Sequence, residues 1–199
     1  MCGVSSSISV ECWSTPQIHT SRRREQRLGL EPGQIGQRLG DVFVAGCYGR
    51  VTEAQVREAM SARLEIDAET ADAFQADLWV EYLGTANTEL LAYFRGLRGR
   101  CPTAILSNSF VGAREREHEH LGLEGLCDTV AYSHEVGFYK PEHEIYELTC
   151  ERLGLPPEQL AFLDDHPDYI RGAEEVGMHA ITFTDNTTAI PAVEAWLSG

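Results

Sequence analysis

Three short stretches carry residues that could do phosphoryl chemistry, and they arrive in order along the chain: Ala104-Ile105-Leu106-Ser107-Asn108-Ser109, Gly137-Phe138-Tyr139-Lys140-Pro141 and Ala161-Phe162-Leu163-Asp164-Asp165. A serine hydroxyl with nearby backbone N–H groups can hold phosphate oxygens. A lysine neutralises their charge, and adjacent aspartates offer the hard oxygen ligands that Mg2+ takes. Lys140 is also a compositional oddity, since every other Lys or Arg position in the chain is arginine. A compact ammonium and a planar guanidinium are not interchangeable in a tight anionic site. Each residue has a plainer reading on its own. A strand-end serine usually serves a turn, a loop lysine is usually solvated, and Asp164-Asp165 before His166-Pro167 could cap the next helix. Their order, with Ser107 and Asp164 each following an apolar run, favours the chemical reading of the set.

Something must bring these groups together, and the pattern from Glu89 onward supplies it. Periodicity predicts helices over 90–97, 114–121, 141–153, 168–176 and 189–197, separated by strands over 103–106, 129–132, 160–163 and 180–183. Strict alternation of helix and strand implies βαβ units and a parallel sheet, hence an α/β fold. Pro141 suits a first helical turn, where its missing N–H is no loss. Ligands of such sheets bind outside the carboxyl ends of the strands. Ser107 and Asp164-Asp165 fall at two such ends, and Lys140 lies in the loop after a third strand. Residues from about 15 to 83 read differently, as mainly helical. Thr52-x-x-Gln55 is a capping box opening a segment with Val56, Met60 and Leu64 on one face. A second helix follows, with Ala71, Phe74, Leu78 and Tyr82 at intervals of three and four. Gly33, Gly36, Gly40, Gly46 and Gly49 loosen the segment before Thr52.

The bulk numbers bound the rest. A chain of 199 residues buries one good core, with room for a small inserted subdomain. Its 43% apolar and 24% charged residues are ordinary for a globular protein. A net charge of −15 and a pI of about 4.8 argue against nucleic acid or an anionic membrane surface as partner. They leave room for a small anionic substrate in a local positive pocket. Six cysteines without a CxxC pair read as reduced thiols of a cytoplasmic protein. No apolar run approaches the roughly eighteen residues of a membrane span. The first residues lack the basic and apolar regions of a signal peptide.

These motifs resemble the haloacid dehalogenase (HAD) superfamily, specifically members with a helical cap inserted near the N-terminus, the subfamily IA-like type. Leu106-Ser107-Asn108-Ser109 is similar to the family's second motif. Glu135-Val136-Gly137-Phe138-Tyr139-Lys140-Pro141 is similar to the third. Phe162-Leu163-Asp164-Asp165 through Arg171-Gly172-Ala173 is similar to the fourth. The resemblance is tight over about 84–199 and loose over the cap. It implies a Rossmann-like parallel sheet with an inserted helical cap, a core made of 1–14 and 84–199, and a cap at 15–83. It also implies that Ser107 and Asn108 bind the substrate and that Lys140 steadies nucleophile and substrate charge. Asp165 and Asp164 would hold Mg2+, with Asp168 either a further partner of the ion or a helix cap. The implied activity is Mg2+-dependent hydrolysis of a small phosphorylated or other anionic metabolite, by a monomer or homodimer.

One departure bears on mechanism. The family's first motif is a strand ending in an aspartate that attacks the substrate, and this chain has no aspartate before Asp41. Asp41 follows Arg38-Leu39-Gly40 rather than an apolar strand, and so is no substitute. Either a nucleophile strand is encoded upstream of Met1, or the chain works without one. The first is favoured, because Val4 to Val10 sets Ile8 and Val10 among serines, a poor central strand. Losing a central strand strands backbone groups at about 1–3 kcal/mol each. The alternatives are a catalytically inactive HAD-like binding or regulatory protein and a haloacid dehalogenase, the latter disfavoured because carbon–halogen hydrolysis needs no metal-binding acids. His118, His120, His134, His143 and His166 lack the spacing of a zinc site. Arg114 to His120 reads as a solvated acidic helix, and Arg22-Arg23-Arg24 as a solvated helix face or a contact to an anionic substrate.

Overall fold

Unbroken apolar runs become inner strands of a parallel sheet, because both faces of each strand are covered. The computed structural model describes residues 3–6, 22–123 and 125–198. Strands β1 (Gly3–Ser6), β2 (Thr103–Ser107), β3 (Thr129–Tyr132), β4 (Leu160–Asp164) and β5 (His179–Thr182) form one sheet in the order β3-β2-β1-β4-β5, every pairing parallel. β2 and β4 are buried at every position. Side chains alternate across the sheet. Ile105, Ala161 and Leu163 face one core, and Ala104, Leu106, Leu160 and Phe162 the other.

Among the described residues, five helices precede β2, the first four being α1 (Arg22–Arg27), α2 (Gln34–Cys47), α3 (Glu53–Leu64) and α4 (Ala68–Leu83). They are followed by α5 (Thr88–Gly96), and between and after the later strands lie α6 (Ala113–Leu121), α7 (Ser133–Val136), α8 (His143–Leu153), α9 (Pro167–Glu175) and α10 (Asn186–Ser198). Helices α5 and α10 supply the core on one sheet face, and α8 and α9 the core on the other. α2, α3 and α4 build a third core of their own around Ile35, Leu39, Phe43, Val56, Met60, Phe74 and Leu78. The fold is therefore an α/β sheet of the Rossmann-like type with a helical insertion.

Local signals explain the helix starts. Thr52 and Gln55 form the expected reciprocal capping box. Asp67 accepts from Thr70 N at 2.8 Å to open α4, and Asn87 accepts from Leu90 N at 3.1 Å to open α5. Ala71, Phe74, Leu78 and Tyr82 are all buried, as their spacing predicts.

Four expectations need correction. α2 runs uninterrupted through Gly36 and Gly40, because Ile35, Leu39, Val42 and Phe43 bury one face and tertiary packing outweighs weak propensity. Pro141 lies before α8, on a cis peptide after Lys140, and the helix begins at His143. α6 is not wholly solvated, since Glu117 on it is buried. Gly3–Ser6 does sit at the centre of the sheet, paired with β2 at Val4–Thr103 and Ser5–Ala104 and with β4 from Gly3–Leu160 to Ser6–Leu163. Backbone groups make a parallel ladder, so serines suffice where both neighbours offer partners. Residues 7–10 of that stretch lie outside the described residues.

Candidate active site

Three connections at the carboxyl edge of the sheet carry the residues singled out by sequence. β2 ends on Ser107, which is buried and level with Tyr132 of β3. β4 ends on Asp164, and the loop between α7 and α8 carries Lys140. The structure brings Lys140 and Asp164 together. Nζ of Lys140 lies 2.7 Å from Asp164 Oδ2, and neither side chain is exposed to solvent. Asp164 Oδ1 accepts from His166 N at 2.9 Å. The ammonium also lies 4.9 Å from the ring centre of Tyr169 and 5.6 Å from that of Phe162. A buried charge must be paired and hydrogen-bonded or it neutralises; here an opposite charge and two aromatic faces surround it.

Asn108 holds this lysine from its backbone. Its Oδ1 accepts from Lys140 N at 2.7 Å and its Nδ2 donates to Lys140 O at 3.0 Å. The carboxamide read from sequence as substrate-binding is thus turned to the Lys140 loop. Ser109 continues the framework, its Oγ 2.7 Å from His134 Nδ1 and its N donating to Ser133 Oγ at 2.9 Å. Burial holds His134 below the usual imidazole range, which keeps the ring neutral near pH 7.

The helical insertion braces the same loops. Tyr48 OH donates to Glu142 Oε1 at 2.6 Å, while Glu142 Oε2 accepts from Tyr139 N at 2.9 Å. Ser133 Oγ lies 2.9 Å from the Cys47 carbonyl oxygen, and Val111 N donates to Gly46 O at 3.2 Å. Two glycines permit this approach. A Cβ on Gly46 would lie 2.2 Å from the Phe110 ring, and one on Gly49 would lie 1.8 Å from the His134 carbonyl oxygen. Burial pushes the Cys47 thiol up to about 12, so it stays protonated and is no nucleophile.

A haloacid dehalogenase-like hydrolase family model matches residues 14–177. The chain belongs to this family. Among curated relatives of this HAD-like hydrolase, fructose-1-phosphate phosphatase YqaB of Escherichia coli is 27% identical over 154 residues, covering 69% of this chain and 82% of that protein. Acyl-CoA dehydrogenase family member 10 of Mus musculus is 33% identical over 95 residues, 48% of this chain but 9% of that much longer protein. The structure of a HAD family enzyme from Bacteroides thetaiotaomicron in complex with magnesium and inorganic phosphate superposes with a TM-score of 0.74 at 18% identity, covering 94% of this chain and 96% of that one. At that identity the superposition shows a shared fold.

Of the three acids read from sequence as metal ligands, Asp164 and Asp165 adjoin in sequence at the end of β4 and Asp168 stands apart on α9. Asp165 is exposed directly beyond the buried Asp164. Asp168 is exposed at the start of α9 and paired with Arg171, while His166, not an aspartate, caps that helix by accepting from Asp168 N at 3.2 Å. Among the described residues no group of three or more His, Cys, Asp or Glu side chains is placed to share a cation. Mg2+ commonly takes one or two carboxylates and completes its shell with water and substrate oxygens. Asp164 is committed to Lys140 and His166, and Asp165 is the exposed carboxylate of the adjacent pair. Asp41 lies on α2, ion-paired with Arg63 at 2.5 Å and far in sequence from any strand end. Arg24 pairs with Glu81 and donates to Asp77 O at 3.0 Å, inside the helical insertion. Sequence reasoning missed Tyr48 and Glu142, partners 94 positions apart that no local pattern connects.

Proposed function

We propose that this HAD-like chain is a Mg2+-dependent phosphate-ester hydrolase acting on a small phosphorylated metabolite. The observation that carries the reading is the buried Lys140–Asp164 pair at the end of β4, next to exposed Asp165. Ser107, with backbone N–H groups of its loop, would bind phosphoryl oxygens, and the Lys140 ammonium would neutralise their charge. Asp165 would hold Mg2+, which when bound supplies a Lewis acid for the phosphoryl oxygens. Asn108 acts as a positioning residue that fixes the Lys140 backbone. Residues 15–83 would form the cap, with 1–14 and 84–199 the core. Free thiols at Cys47, Cys101, Cys127 and Cys150 suit a reducing compartment such as the cytoplasm. The phosphatase named among the relatives supports this substrate class.

A second reading has its own support. Gly3–Ser6, the central strand, carries no carboxylate, so an attacking aspartate must come from elsewhere or the protein binds its ligand without turnover. Hydrolysis of p-nitrophenyl phosphate with and without Mg2+, read beside calorimetric binding of inorganic phosphate, separates the two. Mg2+-dependent turnover that falls about a hundredfold in Asp165→Asn supports the hydrolase. Phosphate binding without turnover supports the silent binder.

A further inference from the structure

Lys140 lies inside a short turn that is closed at both ends by one residue. Glu142 N donates to Tyr139 O at 2.7 Å, and Tyr139 N donates back to Glu142 Oε2 at 2.9 Å. The Asn108 amide grips the Lys140 backbone itself, and the Glu142 carboxylate grips the residue before it. The other oxygen of that carboxylate takes its donor from the helical insertion. Tyr48 OH donates to Glu142 Oε1 at 2.6 Å, across 94 positions of sequence. A hydroxyl bonded to a carboxylate at this length is charge-assisted and stronger than a neutral pair. The Tyr48 ring lies 5.8 Å from that of Tyr139, and the Arg50 guanidinium sits over it, 4.7 Å from its centre. Burial and the neighbouring Glu142 push the Tyr48 hydroxyl up to about 12, so it remains a donor near neutral pH.

The segment that delivers this hydroxyl is seated closely on the sheet loops. Tyr48 stands between Gly46 and Gly49, where a Cβ would lie 2.2 Å from the Phe110 ring and 1.8 Å from the His134 carbonyl oxygen. Next to it, the Cys47 carbonyl accepts from Ser133 Oγ at 2.9 Å. Tyr48 and Glu142 are both only partly buried, so water can replace each as partner of the other. Such a bond adds little to global stability. What it adds is a connection between the insertion and the turn that carries the lysine.

We propose that Tyr48 is a positioning residue for Lys140 that acts through Glu142. The hydroxyl from the insertion fixes the carboxylate, the carboxylate closes the 139–142 turn, and the turn sets the backbone from which Lys140 reaches Asp164. The consequence for turnover rests on the phosphatase reading above, whereas the coupling itself does not.

Lys140 is the one lysine of the chain, so full-length protein grown on [15N]lysine shows a single lysine backbone amide. Hydrogen exchange of this amide is expected to accelerate at least about tenfold in Tyr48→Phe, which keeps the ring and removes one hydrogen bond to a charged group. Leucine amides of β2 and β4, labelled in parallel, are expected to keep their parental rates, which a general loosening would not allow. In a Glu142→Ala background, Tyr48→Phe is expected to add less than about twofold, because the connection is already cut. Glu142→Gln, whose single oxygen cannot take both donors, replaces the alanine variant should that fail to fold. An unmoved Lys140 amide in Tyr48→Phe overturns the proposal, as does an equal acceleration with and without the Glu142 carboxylate. Turnover of p-nitrophenyl phosphate with Mg2+ separates the two readings. If the parent is active, kcat is expected to fall at least about tenfold in Tyr48→Phe, and a parental kcat overturns the positioning role. If the parent is inactive, the phosphatase reading fails and the exchange rates alone decide the coupling.

Discussion

Lys140 illustrates how far one residue can be understood from its surroundings. Its ammonium and the Asp164 carboxylate are both fully buried and 2.7 Å apart, so removing either leaves an uncompensated charge in the interior. Lys140→Met is expected to destabilise the fold by about 3–5 kcal/mol, and Lys140→Met with Asp164→Leu to recover most of that loss, because a buried pair is worth little against apolar replacements. Urea unfolding of the three proteins checks both statements. Glu117 makes a second residue-scale case. Burial raises its carboxyl above the ordinary value of 4.5, with the Tyr82 hydroxyl and Arg114 opposing. The folded state then keeps a proton that the unfolded chain has lost. Its contribution is therefore fully present below pH 4.5 and is lost as pH rises through the folded-state value. Glu117→Gln, which keeps a side-chain acceptor for Tyr82 but cannot ionise, is expected to gain stability relative to the parent as pH rises from 4.5 upward. Unfolding free energies of the two proteins at a series of pH values check it; a constant difference sinks the idea.

Elements are fixed partly by local chemistry and partly by a distant hand. The Thr52–Gln55 capping box is visible in four residues, and Thr52→Ala is expected to cost about 1 kcal/mol. α2 has no such signature, since Gly33 stands at its N-cap with no side chain to offer. Its cap comes from α1: Glu25, nearly inaccessible, accepts from Gly33 N at 2.8 Å and Ile35 N at 3.2 Å. Glu25→Ala strands these donors and is expected to cost about 1–3 kcal/mol. Hydrogen exchange at Gly33 and Ile35 should accelerate in that variant more than at the α3 start. The helices and strands after Glu89 were legible because apolar periodicity is a local property, and their bounds agree to within about three residues. Short α7 was not legible, because four residues carry no period.

At the scale of the molecule, the helical insertion and the sheet each have a core, and a small apolar cluster of Trp79, Tyr82, Phe110 and Ala113 joins them. Gly49 has φ of 65°, and any Cβ there meets the His134 carbonyl oxygen. Gly49→Ala should therefore prise α2 from the Lys140 side of the sheet without disturbing either core from within. Unfolding followed by tryptophan fluorescence in a Trp13→Phe, Trp196→Phe background, where Trp79 in the insertion is the remaining reporter, and by far-ultraviolet circular dichroism should coincide with Gly49 present and separate with Gly49→Ala. The described part of the chain contains no helix long and apolar enough to cross a membrane, and its apolar residues gather in four buried clusters.

The sequence by itself determined the α/β alternation and the family, and singled out Ser107, Lys140, Asp164 and Asp165 as candidates, because apolar period, strand-end position and residue type are all written locally. Only the tertiary structure decided which partners these groups and their neighbours take. It turned the Asn108 amide to the Lys140 backbone, paired Asp168 with Arg171 and placed serine-rich Gly3–Ser6 at the centre of the sheet. It also joined Tyr48 to Glu142 across 94 positions of sequence. Pairing of buried polar groups is a property of three-dimensional neighbours, and no spacing along the chain encodes which neighbour will arrive.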